Sequence, residues 1–250
     1  MLRKGTSVVL LIAGTIVTLL GCRPAQTKIV VGTDATFPPM ESRDANGNIV
    51  GIDIDIMNEI GKAEKMTIEY QHIPWDAIFF RVQQGSVDAI ISSITILDWR
   101  KTNMDFSLPY VSSPQVIVVK KGTTGIKTTN DLYSKRVGVL KGSKTIRQMQ
   151  DKASDAKWTI AEYSNTDEFY YGLVGGRVDA IILDKVVAAC WEKNPEDSRN
   201  IKVVGTTEYI EDWAIAVKKG NQSLLKRINA GIEQVRKSGL LDSMIRQVLQ

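Results

Sequence analysis

The chain has 250 residues, with 32 Lys and Arg against 28 Asp and Glu, one histidine and two cysteines. Residues 1–21 hold Arg3 and Lys4 and no acid. The rest therefore sets 30 bases against 28 acids, a net +2 too weak and too scattered for a nucleic-acid-binding surface. With only His72, Cys22 and Cys190 available, a disulfide scaffold, a Cys/His zinc site and any triad needing a second histidine are excluded, and neither metal nor cofactor is expected.

The N-terminus reads as an address. Met1–Lys4 is basic, and Ser7 to Leu20 are fourteen mostly apolar residues. About 20 would be needed to span a bilayer, so this is a signal-peptide core rather than an anchor helix. It ends in Leu19-Leu20-Gly21-Cys22, which resembles the bacterial lipobox; the alternative is an ordinary secretory signal with a chance cysteine. The resemblance implies a signal peptide over 1–21, a lipidated Cys22 opening a linker over 22–27, and a body held outside the cytoplasm, in the cell envelope, by a lipid anchor. Cys190, left without a partner in Val186–Trp191, reads as a small buried hydrophobe.

Ile29–Asp34 is a predicted strand running into a glycine-bearing loop. Asp53, Ile56, Met57 and Ile60 share one face of a helix over 53–64. Thr67–Ile73 follows as a strand in which His72 is structural. Next comes a helix over Asp76–Gln84, with Asp76 as its N-cap and Ile78, Phe79 and Val82 on one face. Gly85-Ser86-Val87-Asp88-Ala89-Ile90-Ile91 then recurs as Gly176-Arg177-Val178-Asp179-Ala180-Ile181-Ile182, after a second helix over Asp167–Val174 that Thr166 caps. The short β-branched runs fit buried parallel strands, each entered by a structural turn aspartate, Asp88 or Asp179. Arg136–Thr145 repeats the first strand and its glycine loop, followed by a helix over Thr145–Ala153. Trp213–Val217 is a further strand. A helix then carries Leu224, Leu225, Ile228, Ile232 and Val235 on one face, Gly239 breaks it, and a last short helix follows.

These elements make an α/β protein of two lobes, each with a mostly parallel sheet. The tail returns to the first lobe, so the chain crosses twice, near Ser112–Val116 and Gly205–Tyr209. The expected division is 28–114 with 206–250 for lobe 1, and 115–205 for lobe 2. A two-stranded hinge of this kind is suited to closure.

In open α/β sheets, ligands sit beyond the carboxyl ends of the strands. There the first lobe delivers Asp34, then Phe37-Pro38-Pro39, then Ser92, Ser93, Thr95 and Arg100; the second delivers Gly142-Ser143-Lys144-Thr145 and Asp184. A guanidinium with hydroxyls on one side and a carboxylate on the other suits a zwitterion. Arg100 takes a carboxylate bidentately, aided by the N–H groups at 142–145, and Asp184 takes an ammonium.

The chain resembles the extracytoplasmic solute-binding proteins of polar amino-acid ABC importers, family 3, over roughly residues 28–249. The likeness rests on Val31-Gly32-Thr33-Asp34-Ala35-Thr36-Phe37-Pro38-Pro39, Gly51-Ile52-Asp53-Ile54-Asp55, Trp75-Asp76, Ile94-Thr95 with Arg100, Asp105–Tyr110 and the Gly-Arg-Val-Asp-Ala repeat. It implies a periplasmic-binding-protein-like fold, no catalysis, a monomer, a free amino acid as ligand and ABC permease subunits as partners. It also implies that Phe37 and Trp75 sandwich the ligand side chain, that Ser92, Ser93, Thr95 and Arg100 hold the α-carboxylate, and that Asp184 holds the α-ammonium. The family usually has Gly-Thr-Thr or Gly-Ser-Thr where Lys144 interrupts here, so either Thr145 substitutes or Lys144 itself reaches the ligand.

Blander roles stand beside these: core packing for Phe37 and Trp75, capping or turn roles for Asp34 and Asp53. Asp34, Glu41 and Asp53 near the side-chain end suggest a cationic or polar ligand such as Arg, Lys, His or Gln. The rival is a cyclohexadienyl-dehydratase-like enzyme on the same fold, for which Lys144 or Glu41 would be the general acid.

Overall fold

The computed structural model describes residues 27–152 and 158–249. The signal segment, the Cys22 lipidation site and most of the linker lie outside the described residues.

The first sheet is built from β1 (Thr27–Thr33), β4 (Met66–His72), β5 (Ala89–Ile90), β6 (Met104–Phe106) and β12 (Ala216–Lys218), in the order β4-β1-β5-β12-β6. A small hairpin, β2 (Ser42–Arg43) with β3 (Ile49–Val50), precedes α1 (Ile52–Ala63). The helices α2 (Trp75–Gln84) and α3 (Asp98–Lys101) complete this half. The second sheet runs β11 (Ile201–Trp213), β7 (Val111–Lys120), β10 (Ala180–Asp184), β8 (Arg136–Leu140), β9 (Thr159–Tyr163), with α4 (Lys144–Lys152), α5 (Thr166–Val174) and α6 (Lys185–Lys193) around it.

The fold is the expected bilobal α/β architecture, but its sheets are mixed rather than mostly parallel. In the first, β1 pairs parallel with β4 and β5, while β12 pairs antiparallel with β5 and β6. In the second, β8 pairs parallel with β9 and β10, while β7 pairs antiparallel with β10 and β11. The antiparallel pairs come from the crossings: β7 leaves the first sheet and β11 returns beside it, then turns at Ala214–Ile215 into β12. That turn also splits the single strand expected over Trp213–Val217.

The internal repeat has one physical job, done twice. Asp88 Oδ2 accepts the Val30 N–H at 2.7 Å and the Asp88 N–H donates to the Val30 carbonyl at 2.8 Å. Asp179 does the same to Arg136, at 2.8 and 2.8 Å. Each aspartate thus satisfies the entrance of the neighbouring strand, which would otherwise carry an unpaired N–H.

Both predicted N-caps are displaced. Pro74 precedes α2, and the carboxylate of Asp34, 41 residues upstream, accepts the Trp75 N–H at 3.0 Å. The cap of α5 is Asn165, accepting from the Glu168 N–H at 2.9 Å, which leaves the Thr166 hydroxyl to donate to the Thr36 carbonyl at 3.1 Å.

The tail helix α7 (Gln222–Lys237) buries Leu224, Ile228, Ile232 and Val235 and reaches the C-terminal end of α1, where Gln234 donates to Glu64 at 3.0 Å. Gly239, at φ +75°, ends it, and α8 (Leu240–Leu249) packs on α6 as well, where Lys193 Nζ donates to the Val248 carbonyl at 2.6 Å. No helix of the described residues is long and apolar enough to cross a membrane.

Candidate functional site

A cleft lies where strand ends of both sheets meet. Of the residues read from the sequence, Asp34, Phe37, Trp75, Ser92, Ser93, Thr95 and Asp184 line it. Arg100, Lys144 and Thr145 do not.

Arg100 lies behind the wall. It is 1% exposed, and its guanidinium carbon sits 4.4 Å from the Phe79 ring centroid, 5.0 Å from that of Trp99 and 5.6 Å from that of Trp75. Nη1 donates to the Thr95 carbonyl at 3.0 Å; Nε is buried with no partner among the described residues. Burial brings its pKa down to about 10, against the pull of Glu211, so it stays charged at neutral pH. Gly142, on the cleft wall, approaches the same guanidinium: with φ at +78°, a Cβ there would lie 2.7 Å from Nη2. Only glycine allows this conformation and this approach together.

The N-terminus of α4 departs from the expectation. Its N–H groups face a protein carboxylate instead of the cleft. Glu211, 2% exposed on β11, accepts from Lys144 N at 3.1 Å, Thr145 N at 2.9 Å and the Thr145 hydroxyl at 2.9 Å. The Lys144 ammonium acts on Asp98 of α3, whose carboxyl it helps to lower after Lys101 and Arg147. Gly142 and Ser143, just upstream, do line the cleft.

Asp184 ends β10 and accepts a short hydrogen bond from Gln115 Nε2. Burial first, and Glu211 second, push its pKa up to about 8. At the other end, Asp34 Oδ1 accepts from the Thr36 hydroxyl at 3.1 Å, the Asp34 N–H donates to Ser92 Oγ at 3.0 Å, and Ser92 Oγ donates to Glu41 Oε1 at 2.9 Å. Glu41 lines the cleft, and Asp53, on α1 behind it, accepts from Ser93 N at 2.7 Å and from the Tyr110 hydroxyl at 2.8 Å. Burial raises all three carboxyls, Glu41 most clearly. Gly51, at φ +135°, lets the chain pack on itself here: a Cβ would meet the Met40 carbonyl oxygen at 2.2 Å, and that carbonyl accepts the Asp53 N–H at 2.9 Å. His72 accepts from the Ala35 N–H at 3.1 Å, a structural contact.

Several lining residues were not singled out. Tyr163 ends β9 and Ser164 and Asn165 follow it, and the strand-end rule would have found them had that strand been recognised. Trp213 and Glu211 come from the crossing strand, and Trp213 meets Phe37 edge-on at 6.2 Å between centroids. Among the described residues, no group of His, Cys, Asp and Glu is placed to hold a metal ion.

Residues 29–250 match the bacterial extracellular solute-binding proteins, family 3. The chain is 34% identical over 216 residues to a probable histidine-binding protein of Neisseria gonorrhoeae, covering 86% of this chain and 80% of that one. It is 38% identical to a solved ancestral arginine-binding protein bound to arginine, with a TM-score of 0.79 and coverage of 89% and 98%. A solved ancestral amino-acid-binding protein, described as a precursor of cyclohexadienyl dehydratase, is 31% identical at a TM-score of 0.77, with 89% and 96% covered. With the match running over nearly all of both lobes, this chain belongs to the bacterial extracellular solute-binding proteins, family 3.

Proposed function

We propose that the protein binds a free amino acid with a cationic side chain between two closing lobes and passes it to an ABC permease, without chemistry of its own. The observation carrying the cationic preference is the charge of the cleft: Asp34 and Glu41 line its lobe-1 end, with Asp53 behind, while the lining base Lys141 is paired with Asp76. In this reading Arg100 Nε and Nη2 take the α-carboxylate, Asp184 takes the α-ammonium, and Phe37 and Trp75 flank the side chain. The arginine-bound ancestral protein supports it. A thermal-shift panel of the twenty amino acids tests it: a ligand at 100 times its Kd adds about 2.7 kcal/mol to stability. Arginine and lysine are expected to give the largest shifts; a panel in which neither shifts the transition overturns the cationic preference.

A second reading, a dehydratase-like enzyme, draws on the similar dehydratase precursor and on Glu41, whose raised pKa leaves a proton at the cleft wall. Turnover of prephenate or arogenate would establish it; stoichiometric binding without turnover favours the carrier.

We assign lobe 1 to 28–114 with 206–250 and lobe 2 to 115–205, acting as a monomer. The protein is further proposed to be anchored by lipid on Cys22 after removal of 1–21. Mass spectrometry of the mature N-terminus checks this: wild type should begin at an acylated Cys22, and Cys22→Ser should remain unprocessed by the lipoprotein route.

A further inference from the structure

Glu41 and Asp53 are both buried, and both converge on Ser93. The Ser93 hydroxyl lies 3.4 Å from Glu41 Oε2 and 3.4 Å from Asp53 Oδ2, and its N–H donates to Asp53 Oδ2. Ser93 holds φ at +47°, a left-handed conformation costly for serine that persists because its surroundings fix it. The other groups facing the pair are Asp34 from the loop after β1, Ser92 at the end of β5, Tyr110 before β7, and Tyr70 on β4. None is cationic; His72 faces Asp34 instead. Asp53 Oδ1 has no partner among the described residues. Two carboxyls buried against one hydroxyl, with no cation facing them, do not both stay ionised.

We propose that Glu41 and Asp53 form a proton-holding subsite that gives up its proton when a cationic ligand side chain enters, so that binding of a guanidinium or ammonium side chain is proton-linked while binding of a neutral isostere is not. This rests on the cationic reading above. Burial, with repulsion from Asp53, holds Glu41 well above its ordinary value, which favours a proton held by the pair when the site is empty. An incoming cation favours the ionised pair, and the O–H proton passes to solvent. The pair's pKa is then lower in the complex than in the empty site. Arginine affinity accordingly rises with pH, by up to about tenfold per pH unit, through the range below the empty pair's value.

Calorimetry with arginine and with citrulline, its neutral isostere, in buffers of low and high ionisation enthalpy at pH 7 reads the proton count directly. Both probes share the α-ammonium, so any proton displaced from Asp184 cancels. Arginine should release about one proton more than citrulline, and Glu41→Gln should remove that excess. Equal counts for the two probes, or an arginine count unchanged in Glu41→Gln, overturn the proposal. If arginine does not bind, the functional reading fails instead. Carboxyl NMR titration of the empty protein then tests the pair alone: one step must lie above neutrality, and two steps in the ordinary carboxylate range sink it.

Discussion

Arg100 has one nitrogen engaged and one buried without a partner among the described residues. Nη1 is tied to Thr95, which leaves Nε for the carboxylate proposed above. Removing such a charge leaves its ligand partner desolvated, so Arg100→Ala and Asp184→Ala should each cost about 2–5 kcal/mol of binding, roughly thirty- to several-thousand-fold in Kd. Calorimetry with the parent amino acid, its amide and its deamino analogue separates the poles: Arg100→Ala should lose the preference for the acid over the amide, and Asp184→Ala the preference for the amine. Both variants binding within threefold of wild type, correctly folded, would disprove the assignment. Asp184 also makes a pH prediction. Its folded pKa, about 8, lies above its unfolded value, so its stabilising contribution is full below about pH 4 and is lost as pH rises towards 8. The empty protein should therefore melt at progressively lower temperature from pH 5 to pH 8, and Asp184→Asn should flatten that slope in a thermal scan.

The first turn of α4 is fixed by a residue from another element. Glu211 meets two of its free N–H groups and the Thr145 hydroxyl, so the helix N-terminus is already occupied by a carboxylate from a crossing strand. Glu211→Ala should destabilise the protein by about 0.5–2 kcal/mol, with faster amide exchange concentrated at Lys144 and Thr145. Just upstream, Gly142→Ala meets both a left-handed backbone and the Arg100 guanidinium. It should weaken amino-acid binding by about 1–3 kcal/mol and lower the melting temperature of the empty protein far less, because the clash arises where the lobes meet. The elements themselves were legible: the Gly-Xaa-Val-Asp-Ala repeat identified β5 and β10, and the apolar faces identified α1, α2 and α7. Their caps were not, because the residue serving α2 is Asp34, 41 positions away.

Across the whole molecule, the rims of the cleft are joined by Lys141 Nζ to Asp76 at 2.6 Å and by the Thr166 hydroxyl to the Thr36 carbonyl. The ion pair is exposed and screened by salt, so it is a weak latch. Closure then depends chiefly on what fills the cleft. Small-angle scattering should show a smaller radius of gyration with saturating arginine than without, and Asp76→Ala should widen the difference by opening the empty state. An unchanged radius at saturation in both proteins would argue against a closing hinge.

The amino-acid sequence alone determined the two α/β halves and the strand ends that bring Asp34, Ser92, Ser93, Thr95 and Asp184 to the cleft, because strand and helix periodicity and turn glycines are local signals read over a few residues. Tertiary structure alone decided that β12 runs antiparallel between β5 and β6, that α8 lies on α6, that Glu211 takes the N-terminus of α4, and that Glu41 and Asp53 share one buried place. Each of those depends on which distant polar group reaches an unpaired one first once water is excluded. Nothing in the spacing of Thr145 and Glu211, 66 residues apart, encodes that meeting.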